Sequence, residues 1–385
     1  MRQGFDVEAL GVGLRVEAAG MSRADFRRLR AQWRRVSGVT APSTTISVDV
    51  GEGASDADVV GQDVDDVSVT LRQTINLLAI ERRRHDLLML HAAGLADPAT
   101  GDVIALIGPS GAGKTTAASS LGTVLGYVSD ETVAVDVDGA VHPFPKPLAL
   151  KQQDSLRKRI VGPDALGLAE VRPPLRLTRL ALLDRRDDQV TPAVATVGLD
   201  EALGRIVEQT SYLGALPGAL RRLEALVRVS GGVHVIRYHH AADLVEPVSE
   251  LLRRPAAHLP PAEIRDADAP AVAPGPIAPG AYTRAHVDDW IEVGGEVIVL
   301  ADGKVSRFSP LGSVLWGELH TPSSLDGLVA RAEAAFGPAP DGSARNTTQA
   351  VLDELADAGL VRRLGSDESL GDNDVERRGE PLPRS

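Results

Sequence analysis

The segment most able to do chemistry is residues 108–115, Gly-Pro-Ser-Gly-Ala-Gly-Lys-Thr, which fits the phosphate-binding pattern GxxxxGK[ST] at every fixed position. The apolar run 103–107 predicts a buried strand before it, and residues 116–121 predict the first turns of a helix after it. Backbone N–H groups at such a turn converge on an anion, and the helix dipole adds positive potential. The pattern therefore predicts a nucleotide-phosphate site.

The side chains of this loop have separate predicted tasks. Lys114 would reach the β- and γ-phosphates as a point charge, and the hydroxyl of Thr115 would bind Mg²⁺. The expected cofactors are ATP and Mg²⁺. The residues predicted to contact the nucleotide are Gly108, Pro109, Ser110, Gly111, Ala112, Gly113, Lys114, Thr115 and Thr116.

A nucleotide site of this kind also needs a carboxylate near the metal or the acceptor, and the sequence offers two candidates. Asp184 ends an apolar run that is typical of an ordinary Walker B strand. Asp130 and Glu131 follow a shorter apolar run, only a helix and a turn after Lys114. A strand next to the loop strand would bring its C-terminal end beside the phosphates. Spacing alone does not choose between the two.

The order of motifs argues against an ATP-binding-cassette ATPase. That class carries its signature motif before the Walker B strand. The segment of this chain that comes nearest to it, Val229-Ser230-Gly231-Gly232, follows Asp184 instead. We therefore expect another class of nucleotide-binding protein.

Two lysines follow the acidic pair in a proline-rich stretch that is expected to be extended. Lys146 and Lys151 could lie near the acceptor or the transferred phosphate, although a surface position is the simpler interpretation. The basic stretch 151–172 predicts a helix followed by a loop. Upstream of the phosphate loop, residues 87–95 predict a strand that forms a hairpin with the loop strand.

Composition limits the compartment and the partners. The 385 residues are 43% hydrophobic and include no cysteine, which rules out disulfides and thiolate metal sites and suits a reducing compartment. The net charge of −12 argues against a general nucleic-acid binder. There is no N-terminal signal segment and no apolar run of membrane-spanning length. We expect a cytoplasmic protein that binds neither nucleic acid nor membrane.

Changes in composition predict the domain boundaries. Mixed strands and helices over 1–253 predict an α/β nucleotide-binding domain without a regular doubly wound sheet. Residues 254–282 are rich in Pro and Ala and predict a linker. Residues 283–365 predict a second unit of three short strands followed by three helices. The polar residues 366–385 are expected to be disordered.

His91, the phosphate loop and Ser129-Asp130-Glu131 together resemble the C-terminal catalytic domain of HPr kinase/phosphorylase. That family has a His on the strand before the loop and an acidic pair at the end of a strand after it. The resemblance covers about residues 87–150 and implies a P-loop kinase domain with a phosphoenolpyruvate-carboxykinase-like fold. It implies Asp130 as general base and neighbour of the metal, Glu131 as a second Mg²⁺ neighbour, and His91 as part of the phosphate site beside Lys114.

This chain departs from the family at several points. Thr115 replaces the usual Ser but keeps the hydroxyl, and Glu131 stands where the family generally has Asp. The family's later glycine-rich signature and its separate N-terminal domain are not recognisable. The resemblance therefore concerns the kinase chemistry and not HPr as substrate or phosphorylase activity.

The second unit resembles PqqD-like domains, which bind leader peptides of ribosomally made, modified peptides. The best-matching stretches are 305–316 and 351–360. The resemblance implies a small winged-helix-like α+β domain in which the leader adds as a strand beside the third strand and packs on the third helix. The peptide site would be the backbone from Val305 to Phe308 and the outward groups of helix 346–359. Three large side chains are expected in the core instead: Phe308, Leu315 and Trp316.

The two resemblances together imply an ATP-dependent kinase acting on a Ser or Thr hydroxyl of a ribosomal precursor peptide. Capture of the leader would raise the acceptor's effective concentration. Two alternatives stay open: a peptide chaperone whose nucleotide domain is a switch for a separate modifying enzyme, and a kinase for a small-molecule hydroxyl. Other peptide-tailoring enzymes are conceivable partners, and a homo-oligomer is left open.

Overall fold

The structure is a computed structural model that describes residues 3–38, 40–51, 56–152, 155–172, 174–188, 191–255, 264–266, 280–339 and 342–365. The chain divides into two compact units, whose main boundary falls between Pro261 and Ala262. Most of the predicted linker 254–282 and all of the predicted disordered tail 366–385 lie outside the described residues.

The first 82 residues form a layer of their own, with a sheet in the order β1-β2-β3-β4 and two helices. Its elements are β1 (Gln3–Ala9), β2 (Val12–Ala19), α1 (Arg23–Gln32), β3 (Thr44–Val50), β4 (Val59–Gly61) and α2 (Val64–Arg82). Ser22 and Asp63 cap the two helices by accepting backbone N–H groups. α2 buries Leu71 and Ile75 in the core of this layer.

The remaining strands of the first unit are β5 (Leu88–Ala96), β6 (Asp102–Ile107), β7 (Gly126–Ser129), β8 (Thr132–Val135), β9 (Val141–His142), β10 (Leu148–Gln152), β11 (Ser155–Val161), β12 (Arg176–Arg185), β13 (Ala193–Val197), β14 (Thr210–Ser211) and β15 (Val233–Tyr238). The main sheet runs β13-β15-β12-β6-β5-β8-β9, and β7 and β14 also pair with β5. β5 and β6 are antiparallel, which confirms the predicted hairpin, whereas β6, β12 and β15 are parallel. The sheet is therefore mixed and not regularly doubly wound, as expected.

The helices of this part are α3 (Lys114–Leu121), α4 (Leu199–Val207), α5 (Ala219–Val229) and α6 (Val245–Arg253). The helix predicted within 151–172 was wrong, because residues 155–161 form β11, antiparallel to β10. Pairing with β10, with Leu148 opposite Val161, satisfies the backbone hydrogen-bonding groups of this segment. A pattern of charged residues does not indicate that such a partner strand exists. A 3-10 turn at Pro163–Leu166 follows.

The elements after residue 261 are β16 (Ile264–Asp266), β17 (Tyr282–Arg284), β18 (Asp289–Val293), β19 (Glu296–Ala301), β20 (Lys304–Arg307), α7 (Pro310–Glu318), α8 (Leu325–Phe336), α9 (Ala344–Asp357) and β21 (Val361–Arg363). All but the first half of β20 belong to the second unit. β18, β19 and β20 followed by α7, α8 and α9 confirm the predicted strands and helices. β16 lies inside the predicted linker and pairs with β18, so the sheet order is β16-β18-β19-β20.

The second unit has its own aromatic core. Phe308 meets Trp316 edge-on with ring centroids 5.3 Å apart, and Trp290 meets the same ring at 6.1 Å. Leu315 is buried with them, so the expectation that Phe308, Leu315 and Trp316 are core residues is confirmed. In the part of the chain that the structure describes, no helix is long and apolar enough to cross a membrane.

Candidate nucleotide site

The phosphate loop has the backbone conformation that its glycines permit. Gly111 and Gly113 have φ of +89° and +90°, and α3 begins at the next residue. The Tyr238 hydroxyl at the end of β15 donates a hydrogen bond to the Ala112 carbonyl. A Cβ added to Gly113 would lie 2.9 Å from that hydroxyl. The loop is thus shaped by glycine and held from the neighbouring strand.

Lys114 lies over the loop. Its Nζ donates to the Gly108 carbonyl at 2.6 Å and the Pro109 carbonyl at 3.1 Å. Burial lowers the pKa of Lys114, and the nearby carboxylates of Glu131 and Asp130 oppose that shift. The ammonium group is therefore held at the loop itself, where a phosphate would meet it.

Asp130 faces the loop hydroxyl and is 1% exposed. The Thr115 hydroxyl lies 3.3 Å from Asp130 Oδ2, to which it donates. On the other side, Arg72 Nη2 donates to Oδ1 and Oδ2, both at 3.0 Å. The Tyr127 hydroxyl lies 3.4 Å from Oδ1 and donates to the Lys146 carbonyl at 3.0 Å. The carboxylate is fixed between a cation and the loop hydroxyl.

Glu131 is the more accessible member of the acidic pair, with 30% of its side chain exposed. It forms ion pairs with Lys146 and with Arg72, the latter at 3.1 Å from Nη1. Burial would raise the pKa of Glu131, but these two cations outweigh it and lower the value to about 2. The group is held ionised at neutral pH.

Lys146 is fully buried, which contradicts the simpler interpretation of it as a surface lysine. Besides Glu131 it contacts Asn76 Oδ1 at 3.2 Å, and the Thr132 hydroxyl donates to the same oxygen at 3.2 Å. Burial and Arg72 lower the pKa of Lys146 to about 8, although Glu131 and Asp130 pull it upwards. Lys151 is exposed, as the simpler interpretation has it.

His91 lies on β5 opposite Thr132 of β8 and is half-buried. Burial and then the charge of Lys114 lower the pKa of His91, so the imidazole is neutral at pH 7. The ring is electrostatically coupled to Lys114, Glu131 and Lys146. The structure thus brings His91, Lys114, Thr115 and the acidic pair together at one end of the sheet.

The competing carboxylate, Asp184, lies on the other flank of the loop. β12 is the parallel neighbour of β6, whereas β7 is separated from β6 by β5. Asp184 accepts from Arg186 Nε at 2.8 Å and helps to line a cavity of about 640 Å³ together with residues 108–112 and Arg205 of α4. Asp184 is therefore on the strand that adjacency favours, but Asp130 is the carboxylate in contact with Thr115.

The oxygen groups at this end of the loop suit Mg²⁺. Mg²⁺ is usually bound by one or two carboxylates together with substrate phosphates and water. Thr115, Asp130 and Glu131 supply such oxygens. No group of three or more His, Asp or Glu side chains in the described ranges could hold a metal by itself. The donor set fits an ion that arrives with nucleotide phosphates.

Sequence reasoning missed two residues of this cluster, Arg72 and Asn76. They are one helical turn apart on α2 and both are buried. The available signal was a polar pair at i and i+4 directly beside the apolar positions Leu71 and Ile75.

Comparison with known proteins finds one family match and a set of similar ATP-binding proteins. Residues 296–361 match the family profile of PqqD, coenzyme PQQ synthesis protein D. The thiamine import ATP-binding protein ThiQ of Photobacterium profundum is 28% identical over 223 residues, 56% of this chain and 80% of that protein. ThiQ of Aliivibrio fischeri is 31% identical over 116 residues (29% and 46%), and ThiQ of Vibrio cholerae 31% over 135 residues (34% and 50%). The chain spans about half the length of these last two relatives. It carries a PqqD domain at its C-terminal end and shares sequence with ATP-binding proteins.

Proposed function

We propose that this protein is an ATP-dependent kinase that transfers the γ-phosphoryl group to a Ser or Thr hydroxyl of a ribosomally made precursor peptide. The observation that carries the proposal is the acidic pair: Asp130 contacts Thr115 of the phosphate loop, and Glu131 beside it reaches the surface of the site. A PqqD domain in the same chain supplies the reason for a peptide acceptor.

At the phosphate end, the loop amides, Lys114 and the start of α3 would bind the anion. Thr115 and Asp130 would hold Mg²⁺, which neutralises charge on the β- and γ-phosphates when bound. The neutral His91 would line the same site without adding a second positive charge beside Lys114. These roles for His91, Lys114 and Asp130 follow the resemblance to HPr kinase/phosphorylase.

At the acceptor end, we assign the orientation of the hydroxyl to Glu131 and not to Asp130. Both oxygens of Asp130 already accept from Arg72, and the residue is almost inaccessible. Glu131 is ionised and partly exposed, so it can accept a hydrogen bond from the acceptor hydroxyl and orient it. In the transfer the hydroxyl oxygen bonds to the γ-phosphorus, the bond to the β-bridging oxygen breaks, ADP leaves, and the hydroxyl proton is released to a phosphoryl oxygen or to water.

The arrangement between the phosphate loop and β12 favours a kinase over a cassette-type transport ATPase. The described residues between α3 and β12 form β7–β11 and a 3-10 turn, with no α-helix among them. The run Val229-Ser230-Gly231-Gly232 lies after β12, at the end of α5. Among the described residues between α3 and β12, no segment therefore supports a cassette signature, although the ThiQ proteins share sequence with this chain.

The peptide would add to the β20 edge of the second sheet. Phe308 N donates to Val297 O of β19, so by alternation the N–H group of Val305 points away from β19. An extended leader could pair with the backbone of β20 at Val305, as in β-augmentation. The exposed side of α9 would then offer side-chain contacts for specificity.

Kinase activity is tested with the full chain, Mg²⁺, γ-labelled ATP and a candidate precursor peptide chosen from short open reading frames near its gene. Wild type should give a phosphopeptide, and Lys114→Ala should not. Glu131→Gln should keep its affinity for metal-free ATP yet lose at least about a hundredfold in transfer. ATP hydrolysis without phosphopeptide would refute the kinase and favour the nucleotide-switch chaperone, and leader-independent transfer to small alcohols would favour the small-molecule kinase.

Leader capture is tested separately by anisotropy of a labelled leader peptide. Val305→Pro removes an outward N–H from an edge strand without breaking the β19 ladder. It should weaken binding at least about tenfold, whereas the matched Val305→Thr should not. Equal binding by the two variants would exclude this edge as the peptide site.

A further inference from the structure

We propose that the N-terminal layer, β1–β4 with α1 and α2, is a working part of the nucleotide site, and that Arg72 of α2 is the positioning residue through which it acts. Arg72 holds the Asp130 carboxylate in the orientation that Thr115 and a Mg²⁺ ion require. The inference rests on the proposed Mg·ATP site, but it needs no particular acceptor.

The contacts of Arg72 define its geometry from three sides. Nη2 donates to both oxygens of Asp130 at 3.0 Å, Nη1 lies 3.1 Å from Glu131 Oε2, and Nε donates to the Pro147 carbonyl at 2.7 Å. A guanidinium fork with its donors engaged in this way fixes a plane as well as a position. The acidic pair is therefore oriented by a residue of the N-terminal layer, outside the strands that flank the phosphate loop.

The orientation matters because a carboxylate has about four lone-pair sites. Arg72 takes one site on each oxygen of Asp130, the Thr115 hydroxyl donates to Oδ2 at 3.3 Å, and the Tyr127 hydroxyl lies 3.4 Å from Oδ1. In this orientation Asp130 and Thr115 would together hold Mg²⁺, which would neutralise phosphate charge. Rotation of the carboxylate would turn these sites away from the loop.

Asn76, one turn further along α2, anchors the other half of the cluster. Its Oδ1 accepts from the Thr132 hydroxyl and from Lys146 Nζ, each at 3.2 Å. Lys146 in turn pairs with Glu131. One face of α2 thus contacts both members of the acidic pair through Arg72, and Glu131 is held a second time through Asn76 and Lys146.

Stability alone gives a weak reason for this arrangement. A buried ion pair commonly contributes no more than well-packed apolar side chains of the same volume, because desolvation offsets its attraction. The neighbouring positions Leu71 and Ile75 show that α2 can bury apolar side chains at this surface, since both are fully buried. The presence of Arg72 and Asn76 on the buried side of α2 is better explained by the groups that they orient, Asp130 and Lys146.

The test measures nucleotide binding by the full chain, calorimetrically, with ATP in EDTA and with ATP in excess Mg²⁺. In wild type Mg²⁺ should strengthen ATP binding. Arg72→Met and Arg72→Lys should each reduce the Mg²⁺ enhancement by about tenfold to a hundredfold, as for other residues that orient metal ligands, while metal-free ATP affinity stays within about twofold. Arg82→Met, on the exposed end of the same helix, is the matched control and should leave both affinities unchanged.

The outcomes separate this inference from the kinase proposal. An undiminished Mg²⁺ enhancement in Arg72→Lys, or equal losses with and without Mg²⁺, would overturn the positioning role. Absence of any enhancement in wild type would overturn it as well. If Arg72→Met does not fold, Arg72→Lys decides by the same criterion, since it keeps the buried charge but loses the fork. Failure of peptide phosphorylation would refute the kinase without touching these measurements.

Discussion

Lys146 gives a sharp test of the buried cluster, because its charge should make stability depend on pH in a window where few groups titrate. Its pKa is lowered from 10.5 to about 8 in the folded chain, with burial as the first cause. Between those values the unfolded chain holds more protons than the folded one. The free energy of unfolding therefore rises with pH through that window.

The size of the effect follows from the two pKa values. A shift of one pKa unit corresponds to about 1.4 kcal/mol, so the lowered pKa of Lys146 costs about 3 kcal/mol of stability near neutral pH. Roughly 2 kcal/mol of this should be regained between about pH 7.5 and pH 9.5. Lys146→Met removes the titrating group and keeps the length of the side chain, so this gain should vanish from the variant.

The assay is urea unfolding of the full chain, free of metal and nucleotide, at several pH values across the window. The quantity to compare is the pH slope of wild type minus that of Lys146→Met, which cancels titrations common to both. Lys151→Met is the matched control, because Lys151 is exposed and should leave the wild-type slope intact. Identical slopes for wild type and Lys146→Met would refute the burial of a charged lysine at this position.

Three further substitutions test the supports of the two units. Gly113→Ala places a Cβ at φ +90° and 2.9 Å from the Tyr238 hydroxyl, so ATP affinity should fall at least about tenfold in a fluorescent-nucleotide titration; wild-type affinity would contradict the described loop. Tyr238→Phe removes the hydrogen bond to Ala112 and should weaken ATP binding by about 1 kcal/mol in the same titration, and a stronger binder would argue against a loop held from β15. Arg284 lies 4.6 Å and 4.8 Å from the Trp290 and Trp316 ring centroids and donates to the Trp316 carbonyl, so Arg284→Met should destabilise the second unit by about 1–2 kcal/mol; hydrogen exchange of α7 amides would report the loss, and unchanged exchange would count against it.

The parts of the fold that could be predicted are those with local causes. The phosphate loop is set by glycines at required positions, and the turns at Gly294 and Gly303 by the positive φ that they adopt. The core role of Trp316 follows from its place in an apolar run. The strand at 155–161 could not be predicted, because its partner β10 satisfies the backbone of a segment whose own composition is basic.

In the candidate site too, the residues with local sequence signals could be predicted and those placed by distant contacts could not. Its carboxylates follow strands near the loop and were recognisable in the sequence, but their counter-charges come from elsewhere: Arg72 is 58 positions before Asp130. The sequence did not identify Arg72 as part of the site, because charge by itself gives no indication of burial. The burial of a charged side chain depends on what packs against its helix. Arg72 of α2 faces the carboxylates of Asp130 and Glu131 and pairs with both. Asp130, and not Asp184, contacts Thr115, although strand adjacency favours Asp184. A buried arginine beside an apolar helical stripe thus indicates that an anion packs against it. For Arg72 that anion is the carboxylate of Asp130, beside the phosphate loop.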